Sequence, residues 1–490
     1  MANTVTIIDC YTDEPAGLGV PPYLGVHPRY VAGSFDDVPN YLTIDDLRLA
    51  NWNGRIDDNT FDPLGYKTRK NIVNRTRSID EINHILENTE QIIIIAGIQT
   101  PGKYMSAVPG TLAEVKNLLK GHRYYRCLAG PAAICGTQLQ GGQAAETAAE
   151  TDYDEFWPKL FDDYDELQDY AIDGADIFKQ IPQKRTIEIE TGRGCSREVG
   201  CSFCTEPMKS VQQWRNTSDI IAEIKRFKEL GANWFRLGKQ ACIFSYQGGC
   251  ETEIENLLKG IAEINPELLH IDNVNPMMVN EERTRLFVKY LTAGSTAAMG
   301  IESFDPYVCE TNNLNTTPDS AMDAIKLINR IGGVRGDNGN FALLPGINLL
   351  LGLENETAET LEMNYNALKR IYDDGLMIRR INIRQVVPFP GTKLFLEAGT
   401  RFLRKNRKHY DYWTKKIRNE IDGPMLERLY PAGTILRGLY SEVHDDQVTY
   451  LRQPGSYPII VAVNKYLPLN QCFDIEVRSH HLRHLEGGVV

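Results

Sequence analysis

The sequence contains no run of eighteen apolar residues, which argues against a membrane-spanning helix. Its start, Met-Ala-Asn-Thr-Val-Thr-Ile-Ile-Asp, lacks a basic stretch followed by an apolar one, so no secretion signal is expected and a cytoplasmic location is. Positive charge is not in excess: 53 Lys and Arg stand against 65 Asp and Glu. The net charge of −12 excludes indiscriminate nucleic-acid binding by the whole surface, while leaving room for a local basic face. Internal repeats and long low-complexity tracts are also lacking. What is present is a chain of 490 residues, long enough for about two to four domains and a large core. Ten cysteines in a chain expected in a reducing compartment point to metal or redox chemistry before disulfides.

Three of those cysteines lie within ten residues, in Glu190-Thr-Gly-Arg-Gly-Cys195-Ser-Arg-Glu-Val-Gly-Cys201-Ser-Phe-Cys204-Thr-Glu206-Pro207. The stretch bears glycines and follows a β-branched run at 186–190, so the loop can fold back and bring three thiols toward one centre. Thiolates suit zinc and iron–sulfur clusters. A structural zinc site wants four closed ligands, whereas three cysteines on a four-iron cluster leave one iron open. A zinc knuckle completed by a distant His or Cys is the competing reading.

Short apolar runs at 4–9, 91–96 and 124–128 read as buried strands, with helical spacing at 111–120 between the last two. This alternation predicts a parallel, doubly wound, Rossmann-like sheet over residues 1–150. Cys10, Cys127 and Cys135 sit at or near strand ends of that sheet, where ligands gather, and could hold an auxiliary cluster. Buried, inert thiols are the simpler account. Residues 151–185 form an acidic connector with ten Asp or Glu against one Lys over 151–176, interleaved with aromatics. It is expected to pack as an amphipathic segment between domains.

Over 186–400 strand and helix alternate six times, with strands near 186–190, 234–238, 268–272, 297–302, 347–351 and 381–387. Ser218 and Thr317-Pro318 supply helix starts, and Gly231 and Gly332 supply stops. Six β/α units predict a partial barrel whose site lies at the carboxyl ends of its strands, where the cysteine loop falls. Residues 401–427 are read as a basic helical linker: 401–419 carry eight Lys or Arg against one Asp, together with Tyr410, Tyr412 and Trp413. Such a segment can stack on bases and hold phosphates, although a solvated helix face is the commoner outcome. Short strand patterns at 434–440, 448–451, 459–463 and 473–477, separated by turns at Asp445-Asp446, Pro454-Gly455 and 467–470, predict a small β-barrel over 428–490. His480, His481 and His484 lack a nearby metal-ligand pattern and are expected to form a solvent-facing tail.

The cysteine loop after the first barrel strand resembles that of the radical S-adenosylmethionine (radical SAM) superfamily, although the gaps are five and two residues rather than the usual three and two. Four further segments extend the resemblance toward the methylthiotransferase-like branch that includes the MiaB and RimO enzymes, as an archaeal-type divergent member. They are Phe235-Arg-Leu-Gly238-Lys-Gln240, Met299-Gly-Ile-Glu302-Ser303, Gly346-Ile-Asn-Leu-Leu-Leu-Gly352-Leu-Glu-Asn-Glu356-Thr357 and Val387-Pro-Phe-Pro-Gly-Thr392. In the third, Glu354 and Asn355 stand where that branch has Pro-Gly.

The resemblance implies a [4Fe-4S] cluster on Cys195, Cys201 and Cys204, with S-adenosyl-L-methionine (SAM) positioned by Gly238, Gln240, Glu302 and Ser303. It further implies a TRAM-like RNA-binding barrel at 428–490, RNA modification with tRNA as the expected substrate, and a ferredoxin- or flavodoxin-like electron donor. Leu18-Gly-Val-Pro-Pro-Tyr-Leu and Leu128-Ala-Gly-Pro-Ala are similar to phrases in cobalamin-binding radical SAM proteins. That similarity leaves a cobalamin-dependent methyltransferase of RNA or protein as an alternative, although the Asp-x-His-x-x-Gly signature is missing. Methylthiotransferases hold a second cluster on three amino-terminal cysteines; only Cys10 falls near one of those positions, and Gly97-Ile98 stands at another. A non-enzymatic RNA-binding protein with a structural metal site is a third reading. The modified atom and the oligomeric state are not readable from the residues.

Overall fold

The computed structural model describes residues 4–11, 24–51, 76–97, 108–138, 141–161, 163–445 and 447–490. The segment 18–23, Ile98 and Asp446 lie outside them, and with them parts of three sequence readings made above. The chain divides into one unit of residues 1–189 with 218–233 and a second of 190–217 with 234–490.

In the first unit five strands form one parallel sheet: β1 (Val5–Asp9), β2 (Asn40–Thr43), β3 (Gln91–Ile95), β4 (Tyr125–Ala129) and β5 (Glu155–Trp157). Their order is β2-β1-β3-β4-β5, so the winding reverses between β1 and β3. β1, β3 and β4 end within a residue or two of the expected positions. β2 and β5 were not anticipated, because Asn40-Tyr-Leu-Thr is short and the run to Trp157 is masked by acidic neighbours. The acidic stretch is therefore part of this unit: it supplies β5 and the helix Tyr164–Asp173, which packs through Tyr164, Leu167 and Ala171 on Val26 and Tyr30 of the helix Val26–Gly33. Gly33 and Gly174 are required here, since a Cβ at Gly33 would fall 2.1 Å from the Tyr170 carbonyl oxygen and one at Gly174 1.7 Å from that of Arg29.

The helix Thr217–Glu229, read from the sequence as a barrel helix, falls almost wholly in this first unit. Its Glu223 forms a fully buried ion pair with Arg29, whose guanidinium also donates to the Glu188 carbonyl and lies 5.0 Å from the Phe227 ring centroid. Removing one partner of such a buried pair strands the other charge, which typically costs about 3–5 kcal/mol.

The second unit begins at the last residue of β6 (Ile187–Glu190) and continues through β7 (Gly192–Arg193) and β8 (Gln213–Trp214). Then come β9 (Trp234–Gly238), β10 (Leu268–Ile271), β11 (Asn273–Val274), β12 (Ser295–Glu302), β13 (Leu343–Leu351) and β14 (Arg380–Gln385). β9 pairs with β10, and β11 through β14 pair in sequence, all parallel. Asp272 joins the two sets: its N–H donates to the Leu237 carbonyl and its carbonyl accepts from Ala298 N–H. Strands are present at all six anticipated positions, offset by no more than four residues at any end, in one three-stranded and one four-stranded parallel sheet.

The basic stretch begins a helix, Arg401–Ile417, that continues through a wider turn at Arg418–Asp422 into the helix Gly423–Leu429. Glu356 holds the first of these. The Tyr410 hydroxyl donates to its Oε1 at 2.6 Å, Asn406 Nδ2 to the same atom at 3.3 Å, and Gly352 N–H to Oε2 at 2.9 Å.

The last five strands are β15 (Ile435–Asp445), β16 (Val448–Arg452), β17 (Ile460–Val463), β18 (Cys472–His480) and β19 (Leu485–Val489). They close as β15-β16-β17-β19-β18, with β17 and β19 parallel and every other pair antiparallel. This is the strand order of the OB-fold, a five-stranded Greek-key barrel. The small barrel was legible, but β19 and the histidines were misjudged. His480 ends β18 and its Nε2 meets the Tyr430 carbonyl at 2.6 Å, while His484 is buried and its imidazole is pushed down to about 4 by that burial. They belong to a hairpin and not to a tail.

Burial pushes the Glu356 carboxyl up to about 7 from its ordinary 4.5, against the donors around it. The folded chain then holds a proton that the unfolded chain has released, so this group makes the fold lose stability as pH rises from about 4.5 to about 7. The expected loss is on the order of 3 kcal/mol. Denaturant titrations across that window should show the slope in the wild type and a flatter one in Glu356→Gln; equal slopes would refute the assignment.

Candidate functional site

The cysteine loop is closed at its base by a short ribbon. Gly192 and Arg193 pair antiparallel with Trp214 and Gln213, and a bridge joins Cys195 to Val211. Gly194 needs its positive φ of 78°, and any Cβ there would lie 2.5 Å from the Val211 backbone. Within the loop, Cys204 N–H donates to the Cys201 carbonyl at 3.0 Å, and the turn leads into the helical turn Glu206–Lys209.

Asparagines outside the loop hold it in place. Ser202 N–H donates to the Asn312 carbonyl at 2.9 Å and Ser202 Oγ to Asn312 Oδ1 at 2.7 Å. Asn313 Nδ2 donates to the Val199 carbonyl at 2.8 Å, and Arg197 Nη1 returns a bond to the Asn313 carbonyl at 2.7 Å. Leu394 N–H donates to the Ser202 carbonyl at 2.7 Å, so the segment after β14 closes on the loop as well. Phe203, between Cys201 and Cys204, packs into a cluster with Val308, Leu353, Leu394 and Leu403.

All three thiols are partly buried. Burial pushes Cys201 and Cys204 up, and each feels a neighbouring cysteine: Cys195 acts on Cys201, and Cys201 on Cys204. Two N–H groups point at the sulfurs, Arg197 Nη1 at 3.6 Å from Cys201 Sγ and Glu206 N at 3.4 Å from Cys204 Sγ. Such donors stabilise thiolate over thiol, and hydrogen bonds to sulfur are among the controls on iron–sulfur sites. Among the described residues no three His, Cys, Asp or Glu side chains are drawn together tightly enough to hold a metal ion.

Cys10, Cys127 and Cys135 are each buried, and they are not brought together. Cys10 follows β1 and packs with Ile8, Leu42 and Leu128, whereas Cys127 is the strand neighbour of Leu128 and so projects from the opposite face of the sheet. Its thiol meets Gln91 and Glu155, the first residues of β3 and β5, at the end of the sheet away from Cys10.

The four residues assigned to SAM lie at the carboxyl ends of β9 and β12. Gly238 ends β9, and its carbonyl accepts from Thr191 N–H at 3.3 Å. Gln240 is 1% exposed; its Oε1 accepts from Thr191 Oγ1 at 2.9 Å, while its buried Nε2 has no hydrogen-bond partner. An orphaned buried donor beside the root of the cysteine loop fits a ligand carrying an acceptor. Glu302 has φ of 64°, is pushed up to about 8 by burial against the opposing pull of Arg384, and acts electrostatically on Cys201. Lys239, at φ 66°, is a second non-glycine residue in the left-handed region at these strand ends. Ser303 is occupied locally: its Oγ accepts from Asp305 N–H at 3.1 Å, so its part in ligand contact would be through the backbone turn it fixes.

The inner face of the sheet is its wetter face. On β12, Met299 and Ile301 are fully buried toward the helices while Gly300 between them is exposed. Ile347 and Leu349 are buried but Asn348 is only partly so, and Arg380 and Arg384 are likewise partly exposed on the same face of β14 as Asn382. Thr296, Ala298, Gly346 and Asn382 on that face are buried, so the face is polar but reached by water only in part, at Gly300, Asn348, Arg380 and Arg384. These residues, with Arg236 paired to Asp272 at 2.6 Å, were not singled out from the sequence. The signal was there in the alternation Arg380-Ile-Asn382-Ile-Arg384.

No family model matches the chain. The uncharacterized protein MJ0274 of Methanocaldococcus jannaschii is 40% identical over 540 aligned positions, covering 100% of this chain and 94% of the relative. The chain belongs to the family of MJ0274. An uncharacterized protein of Archaeoglobus fulgidus is 36% identical, covering 96% of this chain and 87% of its own length. Among solved structures, the cobalamin-dependent S-adenosylmethionine radical enzyme OxsB aligns at TM-score 0.44 and 12% identity, over 84% of this chain and 56% of that one. The radical S-adenosylmethionine methyltransferase TsrM from Kitasatospora setae aligns at TM-score 0.43 and 13% identity, over 81% and 74%. Likenesses at this level support no assignment.

Asn312→Ala should release the loop while leaving the barrel strands intact. Loss of its buried amide bonds is expected to cost about 1–3 kcal/mol, concentrated at the loop. Hydrogen exchange should quicken at Ser202 and Glu354 and stay unchanged in β12 and β13; uniform exchange through the unit would contradict this.

Proposed function

We propose that the chain is a radical SAM iron–sulfur enzyme acting on RNA. The observation that carries the first part is the loop itself: three partly buried thiols in sequence, Cys201 lying within electrostatic reach of both others, with N–H donors aimed at two sulfurs, beside the buried and unsatisfied Gln240 Nε2. Cys195, Cys201 and Cys204 would hold the cluster, and Gly238, Gln240, Glu302 and Ser303 would line the SAM site. When bound, a [4Fe-4S] cluster and SAM supply a 5′-deoxyadenosyl radical able to take hydrogen from an unactivated carbon. The chain's own contribution is orientation. Asn312 and Asn313 fix the loop, Thr191 ties its root to Gln240, and the polar inner face of β12–β14 is where a substrate would be met.

The RNA part draws on the helix Arg401–Ile417. Arg401, Arg404, Lys405, Arg407 and Lys408 are exposed on it, and Tyr412 is 59% exposed. Cations along a helix with an aromatic ring at its far end suit a phosphate backbone and a stacked base. The OB-type closure of β15–β19 is compatible with the same partner. Sulfur insertion on the methylthiotransferase pattern would draw on a second cluster, for which Cys10, Cys127 and Cys135 do not converge, so the reading stops at radical modification. A cobalamin-dependent variant draws on the β1/β3 switch point of the first unit, where such sheets bind cofactors. A cobalamin absorbance spectrum retained on the purified chain would favour it.

Reduced, anaerobically reconstituted protein is expected to cleave SAM to 5′-deoxyadenosine, and Cys201→Ala to lose this activity. Cleavage retained in Cys201→Ala would sink the cluster assignment. For RNA, Arg404→Gln combined with Arg407→Gln should lower the salt dependence of binding by about two units of log–log slope. An unchanged slope would move the RNA elsewhere or exclude it.

A further inference from the structure

β14 turns three polar side chains inward at alternate positions, Arg380, Asn382 and Arg384, while Ile381 and Ile383 face the helices. Asn382 is committed to its neighbours: it meets Asn348 at 3.0 Å, and in the amide orientation that satisfies the guanidinium its oxygen accepts from Arg384 Nε at 2.7 Å. Arg380 differs. Its Nη2 is sealed from solvent with no hydrogen-bond acceptor, and the charged side chains acting on it are all arginines: Arg384, Arg418 and Arg483. Tyr457, whose ring centroid lies 5.1 Å from the guanidinium, offsets them in part and is not an anion. Arginine is not discharged by burial as lysine is, so this charge calls for an anion.

Its neighbours across the sheet are small. Arg380 is in register with Gly346, which is in turn in register with Ala298, so the residues directly beside it on two strands carry no side chain longer than a methyl, and the Thr296 methyl lies 2.8 Å from where a Cβ on Gly346 would fall. One level higher, Asn348 is in register with the exposed Gly300. On the opposite side Tyr457 closes the interior: its backbone carbonyl accepts from Arg379 Nη2 at 2.7 Å and its hydroxyl donates to Asp272 Oδ1 at 3.3 Å.

We propose that Arg380 and Arg384 form an oxyanion-binding site inside the barrel, which takes a carboxylate or phosphate group of the substrate. That the anion belongs to a substrate rests on the function proposed above; that the site binds an anion does not. A planar guanidinium pairs with either group through two parallel N–H bonds, so the two chemistries share one recognition element.

The test is a thermal-stability titration of the full chain with inorganic phosphate and, separately, with succinate. At least one probe should raise the melting temperature of the wild type. Arg380→Gln should weaken that probe about tenfold or more, Arg380→Lys should retain part of the effect, and the surface variant Arg285→Gln should retain all of it. Should Arg380→Gln fail to fold, Arg384→Gln gives the same comparison. Displacement of the probe by a 5′-phosphorylated RNA strand, absent in Arg380→Gln, would place the anion on RNA; indifference to RNA would place it on a small acid. No stabilisation of the wild type by either probe, or equal stabilisation of wild type and Arg380→Gln, would overturn the proposal. Iron loading should be unchanged in these variants, so failure here leaves the cluster assignment standing.

Discussion

The second unit depends on the amide of Asn312, which is fully buried and bonded on both sides. Oδ1 accepts from Ser202 Oγ and from Glu354 N–H at 3.1 Å, while Nδ2 donates to the carbonyls of Val308 and Glu354, each at 2.9 Å. One side chain thus joins the cysteine loop, the helix Pro306–Thr311 and the segment after β13. A loop bearing glycines and three cysteines has little packing of its own, and its conformation must be imposed by such contacts. The same segment after β13 carries Glu356, which anchors the basic helix through Tyr410 and Asn406. The cysteine loop and the basic helix are therefore fastened to neighbouring residues of one connection.

A second constraint is the reversal of polarity across β12–β14. Their helix-facing side chains form the core, whereas the inner face carries glycine, asparagine and arginine and is only partly buried at Asn348, Arg380 and Arg384. Such a face forgoes the burial that would normally hold a barrel together. The closure supplied by Tyr457, from the β16–β17 connection, and the Arg236–Asp272 pair beside it offset part of that loss.

Much of the architecture was legible because strands buried on both faces leave continuous apolar runs, as in Ile92-Ile-Ile-Ile95. The amino-terminal strands could be placed for that reason, the six later parallel strands by their alternation with helices, and the closing β-barrel by the turn residues between its short strands. Strands β2 and β5 could not, since four or three residues carry too little pattern, and β5 is flanked by carboxylates. The cysteine loop announced itself through thiol spacing. Asn312, Asn313 and Arg380 did not, because an asparagine or arginine is ordinarily a surface residue, and only the fold shows which are buried and what they hold. Cys10 and Cys127 misled for the same reason: nearness to strand ends in sequence says nothing about the face from which each projects.

The central claim is that Cys195, Cys201 and Cys204 carry a cluster with one iron left open and not a closed zinc site. Metal and sulfide analysis of the chain after anaerobic reconstitution tests it most directly. The account predicts about four iron and four sulfide per chain, lost together in the triple Cys→Ala variant at these positions. One zinc per chain, without sulfide, would contradict it.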